Sequence, residues 1–518
     1  MIGFRAAVSA ALLLFAGATT LSAQDVTLSS PDGAVEISGN ILGFDGEFYR
    51  VETKFGELTV DGSGVSCDGP GCPSLSDFVA EVTLSGSSMM AEVLLPALIE
   101  GFALRNGYQT RRELLTEGSF EYQLLREGNR PAARISFLVS NTDEGFADLL
   151  AQEADIVMAQ REIRPAERKL AQLANMGDMT AASRSRVVAL DALVPVVSPD
   201  NPVTAISLPE LADVFSGKIQ NWQALGGENA PIALHLPVPG SGLTQAFEDR
   251  VLGSNREVLS QEIRQHERVD VLVRHVATDP FAIGIASYAK TGTARPLTLT
   301  GTCGFSLRAN RRSIKTEDYP LTAPMFLYLP ERRLPKVARD FLAYVRGPGA
   351  QIVIRRAGFV DQAPERISMN AQGDRLSNAI LASGKDLGVD ELQRMVRQLA
   401  NLQRLTTSFR FETGSARPDA QSRSNIEQLA RALETGLYDG RKLVFAGFSD
   451  GDGAAAANRK IALKRATAVR DAVLAAAEPE SAARVVIEVE AFGEALPMAC
   501  DNSAWGRQVN RRVEVWVN

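Results

Sequence analysis

Apolar and polar residues alternate in short runs near the start of the chain: Val26-Thr27-Leu28, Val35-Glu36-Ile37 and Tyr49-Arg50-Val51. A period of two places every second side chain on one face, which predicts half-buried strands. Asp32-Gly33 and Asp45-Gly46 punctuate the runs as turns. Residues 24–74 therefore read as a small all-β module. The pattern then changes. Thr83-Leu84-Ser85-Gly86 ends a strand, residues 90–103 carry helical apolar spacing, residues 154–158 form a strand and residues 187–197 a longer one. Strands alternating with helices argue for α/β layers across residues 75–365. From 366 to 405 the chain turns polar and helical. Leu392, Met395, Leu399 and Leu402 form one stripe over residues 390–404, with Asp390 as the expected N-cap. This segment reads as a linker whose helix packs on a neighbour. Residues 406–518 then predict strands at 409–411, 442–446, 485–491 and 512–517, with helices at 422–434 and 455–476. The expected fold class is multidomain α/β and α+β, and no internal repeat is present.

Length agrees with this division, because 518 residues exceed what one core serves. Apolar residues make up 45% and charged residues 23%, a globular composition. The net charge of -7 offers no basic footprint for nucleic acid. At the N-terminus, Arg5 precedes an apolar run at 6–18, and Leu21-Ser22-Ala23 gives a small-x-small cleavage pattern. Residues 1–23 therefore read as a signal peptide, since the run is shorter than the roughly 20 residues of a membrane span. No Cys follows the cleavage point to take a lipid. An exported, periplasmic protein is expected. In an oxidising compartment Cys67 and Cys72, flanking Asp68-Gly69-Pro70-Gly71, are expected to form a local disulfide. Cys303 and Cys500 either pair across domains or remain free thiols. No His lies near the first pair, and no metal site is expected.

Two turns in the central region carry candidate chemistry. Gly86-Ser87-Ser88 and Gly240-Ser241-Gly242-Leu243-Thr244 each precede a helix. Free N–H groups and the helix dipole can cradle an anion there; Ser and Gly are equally ordinary N-caps. A longer stretch adds to this. Leu190-Asp191-Ala192-Leu193-Val194-Pro195-Val196-Val197-Ser198-Pro199-Asp200-Asn201-Pro202 leads into Phe215-Ser216-Gly217-Lys218-Ile219-Gln220-Asn221-Trp222. Together with Ala282-Ile283-Gly284, Tyr319-Pro320-Leu321 and Gly358-Phe359-Val360, it resembles the phosphate-type periplasmic solute-binding proteins. The resemblance implies two α/β lobes closing on phosphate or another small oxyanion, and an ABC importer as partner. It places the ligand-clasping positions at Gly86, Ser87, Ser88, Thr142, Gln160, Ser241, Gly242 and Thr244. The chain also departs from the family. Pro237 stands where an Arg is common, Leu243 where a Thr is usual, and Gln160 where some members carry a carboxylate. Losing a forked Arg removes the strongest kind of anion contact. Arg161, next to Gln160, either supplies the missing charge or is an exposed side chain, the second being the safer reading. Ser241 has no partner base, since His235 lies six residues upstream on a predicted strand. Neither zinc-ligand spacing nor a phosphate-loop Lys is present, so no enzyme and no cofactor are expected.

The last hundred residues hold a polar constellation: Asp450 in Gly447-Phe448-Ser449-Asp450-Gly451-Asp452-Gly453, then Asn458 and Arg465, then Gly506-Arg507-Gln508-Val509-Asn510-Arg511-Arg512-Val513-Glu514-Val515. Asn458 and Arg465 are seven apart and share a helix face. A carboxylate and a guanidinium side by side suit a zwitterionic ligand, Asp450 taking its ammonium and Arg465 its carboxylate. They also suit a surface ion pair of little energetic value. Residues 406–518 resemble the OmpA-like peptidoglycan-binding domain. The resemblance implies that Asp450, Asn458 and Arg465 hold the diaminopimelate of a wall peptide, at or near the outer membrane. Phe448, Ser449 and Ala457 depart from the family's usual His, Thr and aromatic residue. Arg511 and Arg512 read as structural, pairing with acidic neighbours. The reading as a whole is a non-enzymatic, wall-anchored binder of a small solute. The alternative is a scaffold whose cleft has lost its ligand and serves protein docking.

Overall fold

The computed structural model describes residues 25–518 except 75–76, 254–256, 302, 383–387 and 413–414. The expected signal peptide, residues 1–23, lies outside the described residues. The chain divides into two compact units, one ending at Phe78 and one beginning at Val79.

The first unit is an antiparallel sheet in the order Gly56–Asp61, Phe48–Thr53, Glu36–Phe44, Val26–Ser29, Ser66–Asp68. Alternation works as the sequence predicts: Val26, Leu28, Tyr49 and Val51 point to one face and form the core. Cys67 and Cys72 are disulfide-bonded and pack against it. So small a core benefits from a covalent staple.

In the second unit a single eleven-stranded sheet runs through two lobes. Lobe I is centred on Ala80–Ser87, which pairs in parallel with Pro131–Ser140 and Ile156–Ala159. Lobe II is centred on Ala233–Pro237, parallel to Arg264–His266 and Ala282–Ser287. Two antiparallel strands, Ser185–Val197 and Thr322–Tyr328, join the lobes. Their near-continuous apolar sequence fits strands covered on both faces.

The C-terminal domain is a sheet in the order Arg366–Ile367, Gln403–Arg410, Arg512–Val517, Lys442–Phe448, Val486–Gly493. Helices Ala420–Glu434 and Ala455–Ala476 contribute Leu429, Leu433, Val469 and Val473 to one core. The stripe of Val389–Leu399 packs Met395 and Leu399 with Val444, Phe448 and Trp516 in another. Gly388, not Asp390, is the N-cap of that helix; Asp390 sits in its first turn, where its charge complements the helix dipole. The segment before this domain also adds a strand to its sheet, Arg366–Ile367 pairing with Leu405 and Arg404. A further helix, Ala504–Asn510, lies where the sequence pattern predicts none. Ser503 caps it, its side chain accepting from the Gly506 N–H.

Candidate functional site

The cleft between the lobes is built from strand ends and helix starts. At Gly86 the backbone takes φ 125°, and a Cβ there would stand 2.4 Å from the Met158 carbonyl oxygen. Only glycine allows the strand to end so close to its neighbour. Ser87 follows, fully buried, and its hydroxyl donates to Gln160 Oε1 at 2.9 Å. Thr142 starts helix Thr142–Leu150, and its Oγ1 accepts from the Gln160 backbone N–H at 3.2 Å. Lobe II brings helix Gly242–Phe247, capped by Ser241, whose Oγ accepts from the Thr244 N–H. Thr244 Oγ1 donates to the Pro237 carbonyl at 2.9 Å. Gly242 packs directly on lobe I, since a Cβ there would lie 2.4 Å from Gln160 Oε1. Ser87, Thr142, Gln160 and Gly242 thus converge on one point, with Ser241 and Thr244 behind Gly242. Ser88 is exposed at the start of its helix, and Gly86 supports the turn.

The charges around this point are already matched. Arg161 is 6% exposed, which corrects its reading as a surface side chain. Its guanidinium pairs with Asp143 and with Glu167 at 2.6 Å, and lies over the Phe146 ring. A buried cation needs such partners; with two carboxylates on one guanidinium, no excess positive charge remains. Two contacts then bridge the lobes. Gln245 Nε2 donates to Asp143 Oδ2 at 2.7 Å, and Arg164 pairs with Asp249 at 3.0 Å. His235 stands apart from Ser241. Its Nδ1 faces His266 Nε2 at 2.9 Å, and the His275 ring is 5.3 Å from that of His266, so all three histidines of the chain form one stack.

In the C-terminal domain Asp450 follows strand Lys442–Phe448 and is nearly buried. Its Oδ2 accepts from Arg511 Nη1 at 2.6 Å. Asn458, buried on helix Ala455–Ala476, donates to Glu494 Oε2 at 2.7 Å. Two turns on, Arg465 lies over the Phe411 ring at 5.4 Å. Burial lowers its pKa, the neighbouring Arg511 lowers it further, and Asp450 acts against both. Arg465, Arg511, Lys464 and Ser415 line a cavity of about 320 Å³. The surface-pair alternative therefore takes a different form: Asp450 pairs with Arg511, and Arg465 makes no ion pair among the described residues. Arg511 pairs with an acid as the sequence suggested, but that acid is Asp450 itself, so Arg511 stands in the site. A contact between residues 61 apart leaves no signal in periodicity. Arg512 is fully buried on Glu514 at 2.8 Å. Phe448 points into the core beside Phe492.

Residues 73–347 match the model of the PBP superfamily domain. The chain belongs to the PBP superfamily. In this superfamily member, residues 410–511 match the OmpA family model, which gives the chain a C-terminal OmpA family domain. The PBP region is 26% identical over 266 residues to Protein SphX of Synechococcus elongatus, covering 48% of this chain and 76% of that protein. It is 25% identical over 189 residues to the phosphate-binding protein PstS of Bacillus subtilis, covering 36% of this chain and 60% of that one. Among solved structures it resembles an ABC-type phosphate transport receptor from Vibrio cholerae, with a TM-score of 0.42 and 19% identity over 54% of this chain and 99% of that one.

Proposed function

We propose that this PBP superfamily protein is a peptidoglycan-held receptor of the cell envelope. The OmpA family domain grips the diaminopimelate-type wall peptide, and the lobes close on a small oxyanion. The observation that carries wall binding is the cavity lined by Arg465 and Arg511, the second of which holds the Asp450 carboxylate at 2.6 Å. Asp450 takes the ligand's ammonium, Arg465 takes its carboxylate in a fork, and Asn458 fixes the loop through Glu494. Arg511 holds the Asp450 carboxylate in place until the ligand ammonium shares it. The test is co-sedimentation of the full chain with purified sacculi. Arg465→Ala and Asp450→Ala are expected to leave the protein in the supernatant; pelleting equal to wild type sinks the wall reading.

For the cleft, support comes from three helix starts meeting at Gln160 and from relatives whose names are phosphate-binding protein. Ser87, Thr142, Ser241 and Thr244 supply hydroxyls, and Gly86, Ser88 and Gly242 supply backbone at the helix starts. With Pro237 in the arginine position, the oxyanion is held by hydrogen bonds and helix dipoles alone. An ABC importer and an outer-membrane partner are the proteins such a receptor serves. One observation favours the second reading, a docking scaffold. The Gln160 amide fills the point where the lobes meet, and side-chain bridges already close them. Calorimetric titration of the full chain with phosphate and sulfate decides between the two. One-site binding weakened by Ser87→Ala supports the receptor; no heat with either anion leaves the scaffold.

A further inference from the structure

A second cavity, of about 410 Å³, lies between lobe II and the C-terminal domain, apart from both sites above. Leu208, Val251, Leu299, Phe305, Leu307 and Trp505 give it an apolar wall. Cys500 also lines it and is disulfide-bonded to Cys303, so the two domains that build the cavity are covalently joined beside it. Its volume falls in the range of small-molecule sites, roughly 300–1,000 Å³.

A cation reaches this apolar space. Arg250 lines the cavity, donates one N–H to the Thr322 carbonyl, and makes no ion pair among the described residues. Glu162, Glu317, Asp249 and Asp419 are the acids near enough to act on it. None of the four forms an ion pair with Arg250 among the described residues. Asp249 pairs with Arg164 at 3.0 Å, and Asp419 caps helix Ala420–Glu434 by accepting from the Ser422 N–H. Glu317 is pushed up to about 8 and holds its proton at neutral pH, whereas Glu162, pushed only to about 6, stays mostly ionised and acts on Arg250 without pairing with it. Arg250 is exposed where it lines the cavity, and with no carboxylate on it its remaining N–H groups can take a carboxylate in a fork, the strongest kind of anion contact. An apolar body on that anion gains by burial against Trp505, Phe305 and the leucines.

We propose that this interdomain cavity binds a small amphipathic organic anion, one carboxylate on an aliphatic or aromatic body, with Arg250 holding the carboxylate. The site is separate from the oxyanion cleft and from the wall-peptide site. An apolar acid seated there contacts both domains at once.

The test is calorimetric titration of the oxidised full-length protein with octanoate and 3-phenylpropionate, each beside its alcohol, octanol and 3-phenylpropanol. One site per chain is expected, with at least one acid bound tenfold or more tighter than its alcohol. The acid that binds identifies the body as aliphatic or aromatic. Binding should also change the emission of Trp505, isolated in a Trp222→Phe, Trp516→Phe background. Arg250→Gln should bring the acid down to the level of the alcohol, and Leu307→Trp, which fills the cavity, should abolish binding of both. Near-UV circular dichroism and sedimentation with sacculi show whether each variant is folded. No binding of either acid to wild type, equal binding of acid and alcohol, or undiminished acid binding by folded Arg250→Gln overturns the proposal.

Discussion

Replacing Asp318 with Asn should loosen the union of lobe II with the C-terminal domain more than any surface change. Asp318 accepts from Arg404 twice, at 2.7 and 3.1 Å, and lies 3.5 Å from Arg410. Arg404 is 1% exposed and has a second carboxylate in Glu514 at 3.3 Å. Glu514, however, also serves Arg375 and Arg512. Four guanidinium groups thus share two carboxylates, with backbone carbonyls such as those of Val509 and Leu496 taking further N–H groups. Asp318→Asn removes half of the negative charge and leaves Arg404 buried beside an already shared partner. Breaking a buried pair from one side costs about 3–5 kcal/mol. The assay is urea unfolding of the full chain at pH 7, read by near-UV circular dichroism and fluorescence. Trp516 is a useful reporter because its Nε1 donates to Glu514. The pH profile adds a second check. Burial alone would raise the Asp318 carboxyl, but Arg404, Arg375 and Arg410 outweigh it and hold it below the usual range. Glu514 shifts the same way, with burial opposed by Arg375, Arg404 and Arg512. A depressed carboxyl contributes fully above its unfolded pKa, about 4, and that contribution is lost as pH falls through the folded value. Wild type should therefore lose stability below about pH 4, and the variant should show a shallower loss. A variant within about 1 kcal/mol of wild type at pH 7 would refute the reasoning, since only exposed pairs are worth so little.

Three further outcomes are expected. Removing the Cys303–Cys500 bridge, which spans 197 residues, should cost about 5 kcal/mol by the chain-entropy relation, measured as a lower melting temperature of the Cys303→Ser, Cys500→Ser pair; an unchanged melt would count against it. His235 is 1% exposed, and burial, then His266, Arg264 and His275, outweigh Asp279 and push it down to about 4. Its neutral form is the folded one, so up to about 3 kcal/mol present above pH 6.5 should drain away as pH falls toward 4; a His235→Asn variant with the same slope of stability against pH would deny His235 that role. Arg511→Ala should weaken sedimentation with sacculi by roughly 10- to 100-fold, the size of a lost charge-assisted hydrogen bond, while the thermal melt moves little; full pelleting would show that Arg511 serves only the fold.

Local pattern carried much of the architecture. Helix Ala455–Ala476 and strand Arg512–Val517 fall where periodicity puts them, and the crossing strand Ser185–Val197 is announced by an apolar run that only Asp191 interrupts after Arg186. Helix Ala504–Asn510 has a Gly inside and no apolar period, so Ser503 as a cap was its only signal. Contacts distant in sequence were not legible. Periodicity cannot pair Asp450 with Arg511, or Asp318 with Arg404. The same holds for Gln160, which reads alone as a substituted ligand position. Folded, its amide is the point where lobe I meets the Gly242 backbone. Arg161 misled for a related reason: an Arg after a strand is usually solvated, and nothing nearby in sequence announces Asp143 and Glu167 together.

The OmpA family domain holds the two lobes with ties of unequal strength. Lobe II is tied to it by the Cys303–Cys500 disulfide and by the buried Asp318–Arg404 pair. Arg410 adds bonds to the Thr316 and Glu317 carbonyls. Lobe I is tied to it by Arg346–Glu427, a pair at 3.2 Å with both side chains about 30% exposed. The two lobes are tied to each other by Arg164–Asp249, similarly exposed, and by Gln245–Asp143. Exposed pairs are worth about 0–1 kcal/mol each, whereas breaking the buried pair costs several. Opening the cleft by swinging lobe I breaks the exposed pairs, the Gln160 contact and the packing of Ala420 in the core it shares with Phe146 and Leu149. Opening it by swinging lobe II would strain a covalent bond and a desolvated charge cluster. Lobe II and the OmpA family domain are thus the more strongly tied pair, and movement of lobe I about Ser185–Val197 and Thr322–Tyr328 is the less costly way to open the proposed cleft.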